Sequence, residues 1–238
     1  MAEATLSAAS ARTRSWPVWS IVSALVVAGT LIPIALMLAT GRSPSVHFWA
    51  TSFFFAVNAL IAFWELALFR HADDIRAEYE ASRERARGRE LAHIFEFFRR
   101  PVPSGQIFTL RPWAGVWAAY AVMDPAYADK KSFGFAIDIG NGYSTLLPSL
   151  LVPIAIVFEW VPAQWLGILI VVFSWQMFYG TLLYFTSFVI NRRYEGHRLR
   201  DLFVFVGLSN LVWTTFPVWT GALGIWMILH DGFAPFSS

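Results

Sequence analysis

The sequence predicts an all-α, polytopic membrane protein: a five-transmembrane-helix bundle with a cytoplasmic, charged helical insert between spans two and three. Three observations carry this expectation. Hydrophobic residues make up 57% of the 238, and the mean hydropathy is +0.52. Charged residues are only 14%, against about 25% in soluble domains. The apolar residues fall in runs long enough to cross a bilayer, which takes about 20 residues of helix. Cysteine is absent, which excludes disulfide scaffolds, thiolate nucleophiles, iron–sulfur clusters and cysteine–zinc sites.

Taken in order, the spans read as Trp16 to Thr40, His47 to Leu68, Ser132 to Glu159, Pro162 to Ile190 and Leu202 to Leu229. Each must be helical, because in hydrocarbon only hydrogen bonds within the segment can satisfy the backbone. The first run is too long for a signal-peptide core and is expected to be an uncleaved anchor. Trp16, Trp19, Trp49, Trp160 and Trp165 lie near span ends, as an aromatic belt requires. Domain organisation follows: a cytoplasmic N-terminal tail over 1–15, spans one and two over 16–70, the charged insert over 71–116, and a three-span core over 117–238.

The basic residues set the orientation. Arg12 and Arg14 precede span one, eleven Lys/Arg from Arg70 to Lys131 lie between spans two and three, and Arg192, Arg193, Arg198 and Arg200 lie between spans four and five. Only Arg42 falls on the other side. The positive-inside rule then places the N-terminus in the cytoplasm and the C-terminus outside. Within the insert, His71 to Glu90 is rich in Arg and Glu without proline and reads as a solvated helix laced with opposite charges. Leu91, Ile94, Phe95 and Phe98 follow at the spacing of one helical face, beside Arg99 and Arg100. That face suits either an anionic membrane surface or the bundle's own cytoplasmic end. The near balance of acids and bases argues against nucleic acid as a partner. No internal repeat is visible, which disfavours an inverted-repeat transporter.

Charged side chains inside a span cost roughly 2.5–3.5 kcal/mol each, so they need a reason. Two stand inside: Glu65 in span two and Asp138 in span three. With a rise of about 1.5 Å per residue, Glu65 lies roughly 8 Å and Asp138 roughly 9 Å below the same boundary. Asn141 is one turn from Asp138, Asn210 and Trp213 reach a similar layer from span five, and Tyr184 and the deeper Tyr179 approach it from span four. Such a layer is either an interhelical hydrogen-bond network or the lining of a pocket. A lone Asn, Tyr or Trp in a span is ordinarily packing. Two ionisable acids at one depth point instead to acid–base work, one carboxyl donating a proton and its neighbour accepting one. His47, His71, His93, His197 and His230 all sit in loops or at span ends, so no bis-histidine haem or histidine-box metal site is expected. HExxH, GxSxG and Gly-rich phosphate loops are missing, and neither a cofactor nor a metal is expected.

Three segments carry a resemblance. Trp117, Tyr120, Asp124 and Tyr127, followed by Ser132 and Phe133, resemble the segment before the third span of the emopamil-binding protein family, the sterol Δ8–Δ7 isomerases. Tyr179-Gly180-Thr181-Leu182-Leu183-Tyr184-Phe185 is similar to that family's fourth-span motif. Phe205 to Pro217, with Asn210 and Trp213, is similar to its fifth-span pattern. The family belongs to the EXPERA superfamily, and the likeness covers roughly Trp117 to the end of span five. It implies a sterol pocket in which Glu65, Asp138, Asn210 and Trp213 are catalytic. The polar layer and the matching segments together make Trp117, Tyr120, Asp124, Asn141, Tyr179 and Tyr184 the expected substrate-binding residues. The family's second-span histidine is replaced here by Ile61, its third-span glutamate by Asp138, and a long charged segment separates Glu65 from Trp117. Tyr184 or a carboxyl could stand in for that histidine as a proton relay.

The expected activity is therefore double-bond isomerisation of a sterol or other polycyclic isoprenoid within the membrane. The alternative is a non-catalytic sterol or lipid binder, or a scaffold whose insert recruits a partner protein. The expected partners are that lipid and the surrounding membrane lipid, with a homodimer left open. Sixteen Arg against two Lys suit a bacterial chain from a GC-rich genome and hence an inner membrane. The family's known members are proteins of the endoplasmic reticulum.

Overall fold

The computed structural model describes residues 14–238. Most of the N-terminal tail, with Arg12, lies outside the described residues. Among the described residues five helices are long and apolar enough to cross a membrane, and the chain is an all-α membrane protein. They are α1 (Val18–Ala39), α2 (Val46–Arg70), α6 (Phe133–Phe158), α7 (Ala163–Ile190) and the continuous stretch Leu199–His230. That stretch comprises α8 (Leu199–Leu202), a π-helical segment (Phe203–Leu208) and α9 (Ser209–His230). Serine caps open two spans. The hydroxyl of Ser45 accepts from the backbone N–H of Phe48 and that of Ser132 from Phe135, each filling a bond the first turn cannot supply itself. Prolines interrupt α1, α6 and α9 at Pro33, Pro148, Pro153 and Pro217, a burden that neighbouring helices can relieve in a bundle.

The spans form two groups. In one, α2 packs between α1 and α6; in the other, α7 lies along α9. Small residues set both seams. A Cβ on Gly224 would come within 2.8 Å of the Gly167 carbonyl oxygen, so those backbones touch as small-xxx-small interfaces do. Gly29 meets Ala56 in the same manner between α1 and α2. The two groups join where α6 meets α7 and α2 meets α9. The outward faces carry large apolar side chains, among them Leu31, Ile32, Leu150, Trp165 and Val172, which is what a lipid-facing surface demands.

The remaining elements close the two ends. At one end the chain terminus is tied to the α1–α2 turn. Ser45 N–H donates to Phe236 O and Ser238 N–H to Ser43 O, each at 3.0 Å, and Arg42 pairs with Glu159. Across the other end lie α3 (Ala72–Ala86), α4 (Glu90–Arg99) and α5 (Arg111–Ala121). A two-stranded ribbon of β1 (Ser15–Pro17) against β2 (Pro101–Pro103) stands beside them. Helix α3 matches the expected charge-laced helix: it buries only Ala72, Ile75, Ser82 and Ala86 and pairs Arg76 with Glu80 at 3.0 Å.

Helix α4 differs from expectation in its buried face. Ile94 and Phe97 are sunk while Phe95 is exposed. The face is rotated because Gly115 of α5 leaves a hole for the Phe97 ring, 2.8 Å from where a Cβ would stand. Helix α5 spans the division drawn at 116/117. It is buried almost throughout, with Trp113 fully enclosed, and it roofs the seam between the two groups of spans.

Candidate functional site

The roof, α2, α6, α7 and the π-to-α junction of the last span enclose a cavity of about 100 Å³. Glu65 lies on the α2 wall, 6% exposed. Asp138 and Asn141 come from α6, Tyr184 from α7, and Asn210 and Trp213 from α9. Trp117 and Tyr120 come down from α5. Eight of the ten side chains singled out in the sequence thus face one space. Glu65 and Asp138 are close enough for their charges to act on one another, and no Lys, Arg or His is among the lining residues.

Backbone detail explains how the acids meet. Residue 142 is glycine, and a Cβ there would stand 2.7 Å from the Glu65 Cβ and 3.0 Å from the Ala62 carbonyl oxygen. Helices α2 and α6 therefore approach closely beside Glu65. Along α6, Asp138, Asn141, Thr145 and Ser149 follow one face at helical spacing. This polar stripe runs from the cavity deep into the bundle.

Two of the ten side chains are elsewhere. Tyr179 is exposed on the outer surface, stacked on Trp175 at 5.4 Å between ring centroids; the turn of α7 that aims Tyr184 inward directs Tyr179 away. Asp124 is completely buried outside the lining. It accepts from Arg193 Nη1 at 3.1 Å and 3.3 Å and from the Ala126 N–H at 3.0 Å. The charge of Arg193 and the capping bond commit it to structure rather than to substrate contact. Asn210 lines the cavity, and its Nδ2 donates to Val206 O at 2.8 Å.

Sequence reasoning missed Asn58 and Gln176, and gave Tyr127, a residue of the matching segment, no place in the site. Buried Asn58 donates through Nδ2 to Thr145 Oγ1 at 3.1 Å and Ser149 Oγ at 2.7 Å, and accepts from Trp213 Nε1 at 3.2 Å. It thereby fixes the indole that walls the cavity. Its signal was its place seven residues before Glu65, on the same face of α2. Gln176 donates to Asn141 Oδ1 at 2.9 Å and joins α7 to α6. Tyr127, in the short turn Pro125–Ala128 after α5, lines the cavity with its ring against Trp117 and Tyr120.

The aromatic roof is rigid. Trp117 Nε1 donates to Trp64 O at 2.6 Å, and Trp117, Tyr120 and Tyr127 pack ring against ring. Burial pushes the Tyr120 hydroxyl up to about 12. Burial first and the Asp138 carboxylate second push Tyr127 well above its ordinary value. Both phenols stay neutral at physiological pH. The site thus combines two carboxyls, neutral hydroxyl groups and several π faces around one partly open cavity. Such a set can pass a proton to and from an apolar ligand and can surround a developing cation with electron-rich groups. Comparison of the chain with protein-family models, with curated proteins and with solved structures finds no match.

Proposed function

We propose that the protein is an intramembrane double-bond isomerase acting on a sterol or related polycyclic isoprenoid. The observation that carries this reading is the convergence of Glu65 and Asp138 from two spans on one aromatic-walled cavity with no basic residue in its lining. One carboxyl gives its proton to an alkene carbon, leaving a carbocation on the neighbouring carbon. The other carboxylate removes a proton from the carbon beyond, and the double bond re-forms one position along. One proton enters and one leaves, so no cofactor is consumed. The faces of Trp213, Trp117 and Tyr120 and the remaining carboxylate charge stabilise the cation. Exclusion of water keeps the cation from being trapped as an alcohol.

A cavity of about 100 Å³ is smaller than a polycyclic skeleton. The reacting edge enters it while the rest of the ligand lies toward the bilayer. The likeness to the sterol Δ8–Δ7 isomerase family supports the same assignment of Glu65, Asp138, Asn210 and Trp213. In the proposed orientation the end carrying α3, α4 and α5 is cytoplasmic, which makes these helices the insert that the basic residues suggest.

A second reading is favoured by Ile61. It lines the cavity where the resemblance places a histidine, and an apolar group there suits a lipid binder that moves no proton. Incubating the purified protein with a Δ8 sterol in heavy water separates the two. Isomerisation shifts the double bond and leaves one deuterium in the product. Glu65→Gln and Asp138→Asn then each lower turnover by about 100-fold or more, the range for loss of a general acid or base. Stoichiometric binding without a shifted bond supports the binder. Undiminished turnover in both variants removes the site assignment.

A further inference from the structure

Between α1, α2 and α6 lies a second cavity of about 400 Å³, which shares no lining residue with the first. Its rim residues Ile32 and Leu150 are exposed on the lipid-facing surface. Two prolines, Pro33 of α1 and Pro153 of α6, line the same space. Proline has no N–H, so the carbonyl four residues earlier in its helix loses a backbone donor. Those carbonyls belong to Gly29 and Ser149, which line the cavity as well. Neighbouring hydroxyls are engaged elsewhere: Thr30 Oγ1 donates to Val26 O at 2.8 Å and Ser149 Oγ to Thr145 O at 2.7 Å. The two carbonyls also stand at one depth. Gly29 is ten residues before the end of α1 and Ser149 nine before the end of α6, about 15 Å and about 14 Å at the helical rise. Those two ends are side by side, where Arg42 pairs with Glu159 and donates to Ile156 O at 3.4 Å.

We propose that this cavity is a binding site for a membrane-resident alcohol, its hydrocarbon body against the apolar walls and its hydroxyl donating to Gly29 O or Ser149 O. At that depth a bilayer supplies no water, and acyl chains carry no donor, so an unpaired carbonyl is costly. An acyl chain fills the space and leaves both acceptors unmet; an alcohol of similar shape meets one of them. Ser149 is the one polar side chain among the described lining residues, and its proton is committed. A ligand ketone or ether therefore finds no side-chain donor. An ammonium group finds no acid in the lining, and a buried charge without a partner is disfavoured. The volume falls within the range of small-molecule pockets, about 300–1,000 Å³. The site stands apart from the carboxyl pair and does not depend on the isomerase reading. Rigid polycyclic alcohols and linear ones share the required chemistry.

The test uses cholestanol and hexadecanol, each beside its own methyl ether; all four are saturated, so no double bond can move. Binding to the purified protein is followed by native mass spectrometry. At least one alcohol is expected to bind about tenfold more tightly than its ether, as the gain of one hydrogen bond allows. The better alcohol shows whether the body is rigid or linear. In the double variant Pro33→Ala with Pro153→Ala both carbonyls regain a backbone donor, and the preference should vanish. Pro148→Ala, outside the lining, should keep it. A second measurement leaves the prolines in place. The native chain has no cysteine, so Ala59→Cys sets a single thiol in the cavity wall. The alcohol should protect that thiol from N-ethylmaleimide at a concentration where its ether does not. Equal affinity for alcohol and ether, a preference that survives in the double proline variant, or a thiol that neither alcohol protects would overturn the site.

Discussion

At the scale of the residue, the decisive contact is between Glu65 and a missing side chain. Gly140 and Gly142 stand two residues apart in α6, yet only Gly142 has neighbours where a Cβ would go. Replacing glycine by alanine within a helix gains up to about 1 kcal/mol in propensity. Gly140→Ala should therefore raise thermal stability slightly. Gly142→Ala meets Glu65 Cβ at 2.7 Å and Ala62 O at 3.0 Å, atoms with no rotamer by which to yield. Overpacking of that kind costs about 1–3 kcal/mol, so the contact outweighs the propensity. The expected outcome is a lower unfolding temperature in detergent together with reduced ligand binding, and a stabilised Gly142→Ala would refute the close approach.

Asn58 provides a second residue-scale prediction. In Asn58→Leu the hydroxyls of Thr145 and Ser149 keep bonds to carbonyls of their own helix, at 2.8 Å and 2.7 Å. The stability loss should therefore stay within about 0.6–2 kcal/mol, as for interhelical polar contacts generally. The Trp213 indole loses the acceptor that orients it, so ligand affinity should fall further than stability, a difference that parallel titration and melting curves reveal. Both acids were legible in the sequence because a charge in a span is costly and depth can be counted. Asn58 was not, because a neutral amide in a span is ordinarily packing, and only its partners mark it out.

At the scale of the element, legibility followed length. Spans of more than twenty apolar residues declare themselves, and the observed ends of α2 and α7 fall within a few residues of those read from hydropathy. Helix α5 is eleven residues long, too short for hydropathy to separate it from the insert, and its burial depends on elements far away in the chain. The face of α4 was misread because periodicity permits several neighbouring stripes, and the Gly115 hole selects among them. Docking of α4 also carries a pH dependence. Burial, its largest cause, lowers the His93 pKa from the ordinary 6.5. Above that value folded and unfolded chains both hold the residue neutral, and its contribution to stability is complete. Below it the unfolded chain takes up a proton first, so stability is lost as the pH falls toward the lower folded value. His93 is only part-buried, and the effect should amount to less than about 2 °C in the unfolding temperature between pH 7.5 and 5.5. His93→Gln should abolish that component, and an unchanged slope in this variant would show that the docking of α4 is indifferent to the imidazole.

At the scale of the whole molecule, the number of spans could be read from hydropathy but their neighbours could not. Which helices touch is decided by small residues such as Gly167 and Gly224, whose meaning appears only once they face each other. Orientation is the remaining global property, and it decides which side of the membrane the end carrying α3, α4 and α5 faces. If the basic residues direct insertion, that end faces the cytoplasm. The chain contains no cysteine, so a single introduced thiol reports its own side. Arg87, at the end of α3, keeps 83% of its side-chain surface exposed, and Ser238 lies exposed at the opposite end. In intact cells a membrane-impermeant maleimide should label Ser238→Cys directly and Arg87→Cys only after permeabilisation. The reverse pattern would invert the molecule. Labelling of both thiols from one face would mean that an even number of the three long helices between them crosses, and the arrangement of spans argued from hydropathy would fail with it.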